Sequence, residues 1–496
     1  LSHSNKTKVV ATVGPACRDQ ATLRALIDEG VDVFRVNLSH GNLEEHTQTV
    51  AAIRRAAVQS GDVVAIMGDL CGPKIRVGQI ADGSFDIAVR ELLAIEPGSF
   101  PCTPGRICTS YDQLCDDVQC GERVLIDDGQ IRLRAVAKQG AKLICECEVG
   151  GTIRTHKGVN LPDSRLSLPA LTQKDRTDIQ WAAQQDLDYL ALSFVRSPKD
   201  LEELRAELTR HESNAHVVSK IERPEAIEHL DEIISLSDAL LVARGDLGVE
   251  MDVSRVPLLQ KQITQRCARA GKPVIVATQM LQSMVESPVP TRAEVSDVAN
   301  AILDGADAVM LSAETSVGGY PLEAVRVIRS IADQTEAYLA GQAGDSVPRV
   351  DPEELQFVSA VVHGASVLAR ELNVHALAVW TDTGTTVRLL SKRRIPQMIV
   401  GLSPDARVCR RMSLYYGVRP ARLDHQTRQK DMIRDVDAVL IDRELAKTND
   451  MIMIVAGTHL REPGSTNAML IHLVGACDAC SPSATREAVR VPVMTS

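Results

Sequence analysis

Eight short apolar runs that end in polar, charged or glycine residues constrain this chain more than any other feature: VVATVG, DVFRVNLS, VVAIMGDL, DYLALSFV, HVVSKIE, ALLVARGDL, PVIVATQM and AVMLSAE. Each is followed by a helix-like stretch or by an insertion. Strands alternating with helices between residues 8 and about 340 predict a (β/α)8 TIM barrel. Asn37, Ser39, Asp69, Ser193, Lys220, Glu222, Asp246, Thr278 and Glu314 fall at the C-terminal ends of these runs. In such barrels that is the catalytic face.

The third run ends at Leu70 and the fourth begins at Asp188, a gap far too long for one helix. VLIDDG and KLICECEV lie inside it and alternate like strands of a small antiparallel unit, so residues 73–169 are expected to form an inserted small β-barrel domain. Emerging from the catalytic face, it could close as a lid. The barrel then comprises residues 1–72 and 170–340. After the Gly-, Pro- and acid-rich stretch GQAGDSVPRVDPEE, the runs ALAVWT, QMIVGL and MIMIVAG predict a C-terminal α/β domain over 341–496, three-layered with a largely parallel sheet.

Composition agrees with this architecture. Only 3% of residues are aromatic, so the cores must be filled by Val, Ile, Leu and Ala, as suits parallel strands covered by helices. A formal net charge of -10 argues against nonspecific nucleic-acid or anionic-membrane binding. Phosphate sites must then be local. No run of 18 apolar residues predicts a membrane span, and the start LSHSNKTK carries neither an apolar signal segment nor a Met, as in a trimmed chain. The twelve cysteines are scattered, many in apolar runs such as Cys145 and Cys147, which favours reduced thiols in a cytoplasmic setting. Cys477 and Cys480 form a single Cys-x-x-Cys with no second pair to complete a metal site, and read as a surface thiol pair.

Several motifs carry chemistry. In HVVSKIERPEAI, Lys220 and Glu222 are two apart on a strand and so share a face, both entering the barrel mouth. Lysine at the end of an apolar strand is either a functional cation or a snorkelling side chain. Glu222 and Asp246 offer two carboxylates from adjacent strands, suited to Mg2+ with positions left for water and substrate, or else to a structural role. Arg244, Gly245 and Asp246 occupy a strand-to-helix turn whose amides can receive an anion such as a carboxylate. Arg35 and Arg76 add guanidiniums for phosphoryl oxygens, and the Thr278 hydroxyl could serve a proton relay or be an ordinary strand residue.

RVNLSHG, GDLCGPKIRVG, KGVNLP, SKIE, VARGDLGVE, ATQMLQSM, PTRAEVSDVANAILDGADAVMLSAET and YPLEAV resemble the pyruvate kinase family in order and spacing. The resemblance runs from about Val9 into the C-terminal domain. It implies transfer of a phosphoryl group from phosphoenolpyruvate to ADP, giving pyruvate and ATP, with Mg2+ or Mn2+ as the divalent ion. Lys220 matches the lysine that stabilises the transferred phosphoryl and the enolate oxygen, and Glu222 with Asp246 match the metal carboxylates. Arg35 matches the arginine on the phosphate and Thr278 the threonine where the enolate is protonated; Gly245 and Asp246 fall at the substrate turn. Arg76, Lys157, His40 and Pro15, with Asn37, match positions lining the nucleotide site. A homotetramer is implied too, with Glu314 and the helices near the linker as candidates for subunit contacts.

One stretch departs from the family. Members that need potassium read like ALDTKGPEIRTG where this chain reads IMGDLCGPKIRVG. Asp69 is kept, but Leu70 removes a threonine oxygen from a potassium cage, Cys71 replaces a lysine, and Lys74 replaces a glutamate. The family has a potassium-independent branch with this leucine and lysine. The expectation is that K+ is not required, the Lys74 ammonium reaching toward Asp69, Asn37 and Ser39 to supply the missing charge. The other reading has Lys74 merely decorating the lid hinge.

In the C-terminal segment, Thr381, Thr383, Gly384, Thr385 and Thr386 of WTDTGTTVRLLSKRR resemble the family's effector phosphate loop, with His459 and Arg461 of AGTHLREPGSTN available for a second anionic group. A sugar phosphate effector is the expectation; a capped helix start with a solvated arginine is the alternative. Two other functional classes remain open: a metal-dependent aldolase or lyase acting on pyruvate or phosphoenolpyruvate, and a catalytically silent sugar-phosphate sensor.

Overall fold

The structure, a computed structural model, describes residues 5–342, 355–425, 428–457 and 466–476. Three strands open the barrel: β1 (Lys8–Thr12), β2 (Val33–Asn37) and β3 (Ala65–Asp69). The chain then leaves to build β4 (Ser84–Ile87), β5 (Leu92–Pro97), β6 (Arg106–Thr109), β7 (Arg123–Ile126), β8 (Ile131–Gln139), β9 (Lys142–Val149), β10 (Gly151–Arg154) and β11 (Val159–Asn160). It returns for β12 (Tyr189–Leu192), β13 (His216–Ile221), β14 (Ala239–Ala243), β15 (Val274–Ala277) and β16 (Ala308–Leu311). The eight barrel strands pair in parallel in the closed order β1-β16-β15-β14-β13-β12-β3-β2. All eight apolar runs thus became barrel strands. Strands such as β1, β3 and β14 are buried at every position, one face inside the barrel and the other beneath helices, which is why they read as continuous apolar runs rather than alternating ones.

Within the insertion, six strands pair in the order β11-β7-β8-β9-β5-β6, mostly antiparallel, with β4 and β10 as a separate ribbon. Isolated bridges link Arg76 to Gly158, beside β11, and Val77 to Thr109 in β6. One short segment therefore spans both edges of the sheet, which is how a small sheet hides its unpaired backbone. Leu93, Ile95, Leu133, Cys145 and Cys147 are fully buried in its core. Alternation in KLICECEV was legible because only one face of β9 is covered.

The barrel with its insertion forms one compact unit and the C-terminal sheet another. In the latter, β17 (Ala376–Trp380), β18 (Met398–Ser403), β19 (Val418–Arg422), β20 (Met451–Gly457) and β21 (Thr466–Leu473) run in the order β19-β18-β17-β20-β21. All pairings are parallel except that of β20 with β21. The sequence runs marked β17, β18 and β20. They missed β19, whose VRPAR is short and half polar, and the edge strand β21, whose exposure alternates. Among the described residues, all ten cysteines are free, and no helix is long and apolar enough to cross a membrane. Cys477 and Cys480 lie outside the described residues.

Candidate active site at the barrel mouth

Strand register assembles the site. Asn37 pairs with Asp69 between β2 and β3, and Ala191 on β12 faces Asp69 from the other side, so Asp69 stands at the centre of three strand ends. β13 brings Lys220 up beside it. The Lys220 ammonium lies 3.2 Å from Asp69 Oδ1 and 2.9 Å from Glu222 Oε1, and donates to Ser193 Oγ at 2.7 Å. The side chain does not snorkel to solvent: at 9% exposure, Lys220 is held inside the mouth by three oxygens. Arg35 donates from Nε to Asp69 Oδ2 at 2.6 Å and from Nη1 to Thr12 Oγ1 at 3.1 Å.

The charges are coupled. Burial alone would push the Asp69 carboxyl up, but Lys220 and Arg35 outweigh it and hold the group below the usual carboxylate range. Burial would lower Lys220, yet Asp69 and Glu222 together raise it above an ordinary lysine. Glu222 is the exception. Burial and the charge of Asp246 push its carboxyl upward despite Lys220, while Glu222 Oε2 accepts the Phe194 amide at 2.7 Å. Glu222 is buried and Asp246 half-buried, two carboxylates close enough to feel each other's charge. Among the described residues no cluster of three or more His, Cys, Asp or Glu could hold a metal, so protein side chains of these types alone do not complete a coordination shell here.

Across the mouth, Thr278 and Gln279 carry positive φ values of 69° and 55°. For a β-branched threonine this conformation is strained, of order 1–3 kcal/mol, and such strain gathers at functional sites. The bend lets Thr278 Oγ1 donate to the Ala277 carbonyl at 2.6 Å and accept the Gly245 amide at 2.8 Å. The amide of Gly245 is therefore not free for an anion, contrary to the reading of that turn as a set of open donors. Arg244 is likewise committed, to Asp297 at 2.7 Å and to the Thr278 carbonyl at 2.9 Å.

The nucleotide-side candidates are dispersed around this centre. Pro15 and His40 are exposed; Asn37 and Ser39 are half-buried, with the Ser39 amide donating to Asn37 Oδ1 at 3.2 Å. Arg76 and Lys157 stand on the inserted sheet, Arg76 donating to the His156 carbonyl at 3.1 Å and Lys157 lying 2.9 Å from Asp127 Oδ1.

Two expectations are corrected. Lys74 does not reach Asp69, Asn37 or Ser39: among the described residues it forms no ion pair, and its stem sits 3.2 Å from where a Cβ on Gly158 would stand. Asp69 is already occupied by Lys220 and Arg35, so nothing draws the third cation in. Leu70 is 1% exposed within the apolar core and its carbonyl accepts Ser193 Oγ at 2.8 Å. Glu314 is not a surface contact: it is 1% exposed and accepts the Leu281 and Ser312 amides at 3.1 and 2.7 Å, holding two loops of the same barrel together.

Ser193 was visible as a strand end but carried no role; its position opposite Asp69 across β12 and β3 was the missing signal. The latch between insertion and barrel was not foreseen at all. Glu250, 3% exposed, accepts from Asn160 Nδ2 at 2.7 Å and from Arg223 Nη1 at 2.8 Å. It stands in the wall of a small, partly open hollow that is also lined by Lys74, Ile75, Leu161, Phe194 and Arg196.

In the C-terminal unit, Thr381, Thr383 and Gly384 lie in the loop after β17, and Thr385 and Thr386 open the helix Thr385–Ser391 that follows. Two of their hydroxyls face inward: Thr381 Oγ1 accepts the Gly384 amide at 2.8 Å and Thr386 Oγ1 pairs with Thr466 Oγ1 at 2.8 Å. Thr383 and Thr385 bond each other at 3.0 Å near the surface. His459 and Arg461 lie outside the described residues.

A (β/α)8 barrel whose mouth sets a buried lysine and an arginine against carboxylates, under an inserted sheet carrying more cations, defines an enzyme that handles small anionic substrates. Residues 4–325 match the pyruvate kinase barrel domain and residues 359–472 the pyruvate kinase alpha/beta domain. The chain is 40% identical over 472 residues to the pyruvate kinases of Staphylococcus aureus strains MRSA252 and USA300, covering 95% of this chain and 80% of each of those. A crystal structure of a pyruvate kinase from Cryptosporidium parvum superposes with a TM-score of 0.87 at 33% identity, covering 95% of this chain and 96% of that one. The chain belongs to the pyruvate kinase family and is a phosphotransferase.

Proposed function

We propose that this enzyme moves the phosphoryl group of phosphoenolpyruvate to ADP and protonates the resulting enolate to pyruvate. The observation that carries the reading is the Lys220 ammonium fixed between Asp69 and Glu222 with Arg35 on the far side of Asp69. Cleavage of the O–P bond leaves its electron pair on the enolate oxygen, while the transferring phosphoryl group carries negative charge on its three other oxygens. Two preorganised cations at one spot lower the cost of that charge without reorganisation. The terminal oxygen of ADP forms the new P–O bond, and a proton delivered to the enolate carbon completes pyruvate. The proton step is assigned to the Thr278 hydroxyl, a reading supported by its bond to the Ala277 carbonyl, which fixes the oxygen at the strand end. Glu222 and Asp246 would hold Mg2+ or Mn2+, which supplies polarisation of substrate oxygens when bound. Arg76, Lys157, His40, Pro15 and Asn37 line the side from which the nucleotide phosphates approach. Pyruvate release from phosphoenolpyruvate measured with and without ADP tests the assignment: ADP-dependent release is expected, and ADP-independent release points to a lyase.

The finer parts of the reading are proposals as well. Potassium is not required, because Leu70 offers an apolar side chain where a cage needs oxygen, and Asp69 is neutralised by Lys220 and Arg35. Initial rates with potassium replaced by a large inert cation are expected to stay within a fewfold; a hundredfold loss sinks the claim. A sugar phosphate binds the Thr381–Thr386 segment, Thr383 and Thr385 being its accessible hydroxyls; no change in half-saturation with sugar mono- or bisphosphates refutes this. The assembly is a homotetramer in the cytoplasm, the first point checked by light scattering.

A further inference from the structure

The loop Leu38–Asn42, between β2 and the helix Leu43–Ser60, carries Ser39 and His40 beside Asn37. It is held at each end by its own neighbours: the Leu38 amide donates to the Asp69 carbonyl at 3.0 Å, and Asn42 caps the helix by accepting the Glu45 amide at 3.0 Å. Between these anchors Gly41 turns at a φ of 75°, and a side chain there would meet His46 Cε1 at 3.4 Å. The helix Gln173–Gln184 supports the loop from outside. Lys174 Nζ donates to the Leu38 carbonyl at 2.6 Å and to Asp178 Oδ2 at 2.6 Å. Asp178 is only 2% exposed, so the ammonium is drawn back onto a buried carboxylate one turn along the helix. Trp181 of the same helix donates to Thr47 Oγ1 at 2.9 Å, pinning the helix against Leu43–Ser60.

The first turn of Gln173–Gln184 has a second partner. Asp175, fully buried, closes the capping box with Thr172 and also accepts the Gly72 amide at 3.1 Å. Gly72 is where the chain quits the barrel for the inserted sheet, and Thr172 stands soon after it returns. One helical turn therefore grips both the loop beside the mouth and the root of the insertion.

We infer that this turn sets the register between the Leu38–Asn42 loop and the inserted sheet, with Lys174 as the positioning residue for nucleotide binding. The inference rests on the reading of Asn37 and His40 as nucleotide-side residues. Lys174 touches no substrate; it fixes a carbonyl whose peptide neighbours do. Its side chain is 49% exposed, so screening limits the strength of its contact, and the effect is a fewfold change in binding rather than abolition.

The test is steady-state kinetics with each substrate varied in turn, for the full chain and for Lys174→Met, Lys174→Arg and His40→Ala, alongside thermal melting. Lys174→Met is expected to raise the KM for ADP about five- to tenfold. KM for phosphoenolpyruvate and kcat should stay within about twofold, and Lys174→Arg should recover most of the loss because a guanidinium can also reach the carbonyl. If Lys174→Met leaves the ADP KM unchanged while His40→Ala raises it, the positioning role is overturned and the nucleotide reading stands. If His40→Ala is equally silent, both fall. A joint shift of both KM values and kcat with a lowered Tm marks a general folding role and also overturns the inference.

Discussion

At the scale of single residues, Lys220 does two jobs that a substitution would separate. Its charge serves the proposed reaction, and it also balances the buried carboxylates of Asp69 and Glu222. Lys220→Met is expected to lower kcat by about 10²–10⁴-fold, the range seen when one preorganised charge or donor is lost. It should also destabilise the barrel by about 3–5 kcal/mol, since removal of one partner strands a buried charge. Kinetics and thermal melting on the same preparation measure both. Thr278→Val keeps the shape and the strained backbone but takes away the acceptor of the Gly245 amide. The expected outcome is a loss of about a hundredfold in exchange of pyruvate methyl protons with solvent, with a smaller loss in phosphoryl transfer; equal losses in both would mean that the hydroxyl serves only structure.

At the scale of elements, Asp32 shows how the bottom of the barrel is tied. It accepts from Lys8 at 2.9 Å, from the Val9 amide at 2.9 Å and from Arg329 at 2.7 Å, joining β1 to the helix Pro321–Gln342. Burial pushes its carboxyl up, but Lys8 and Arg329 prevail and hold it below the usual range. A carboxyl depressed in the folded state contributes stability that is complete above the unfolded value of about 4 and is lost as pH falls through the lower folded value. The Tm difference between the parent and Asp32→Asn should therefore be constant near neutrality and shrink in acid below about pH 4. Asn160→Ala, which breaks the contact with Glu250, should weaken the latch of the insertion by about 1–2 kcal/mol and speed amide exchange around Asn160 without lowering Tm.

Elements also mark the limit of what the sequence could disclose. The barrel was legible because its strands are continuous apolar runs with chemistry at one end, and the pairing of Lys220 with Glu222 followed from strand alternation alone. The partners of Asp69 were not legible. Three cations, Arg35, Lys74 and Lys220, lie within reach of it in principle, and only register decides that Arg35 and Lys220 arrive while Lys74 turns toward Gly158. Glu250, Arg223 and Asn160 were hidden for a related reason: they are ordinary polar residues at the ends of short elements until the insertion folds back and places them together. Buried Glu314 failed in the opposite way, since a carboxylate at a strand end invites a functional or interfacial reading when it serves backbone amides.

At the scale of the whole molecule, the excursion between β3 and β12 governs how the barrel can form. These strands are neighbours in the closed sheet, and the Ile66 amide bonds to the Asp188 side chain at 2.8 Å across a separation of 122 residues. Closing so long a loose segment costs conformational entropy before any strand pairing rewards it. The inserted sheet has its own core, and once folded it brings residues 76 and 158 into adjacent backbone positions, shortening the loop that remains to be closed. The insertion is therefore expected to act as a folding aid for the barrel that carries it. Ile95→Ala, which opens a cavity at a fully buried site of the inserted sheet, should slow the appearance of barrel structure on dilution from denaturant, although Ile95 touches no barrel strand. An unchanged refolding rate would place barrel closure ahead of the insertion, and the inserted sheet would then be a late addition to a scaffold already complete.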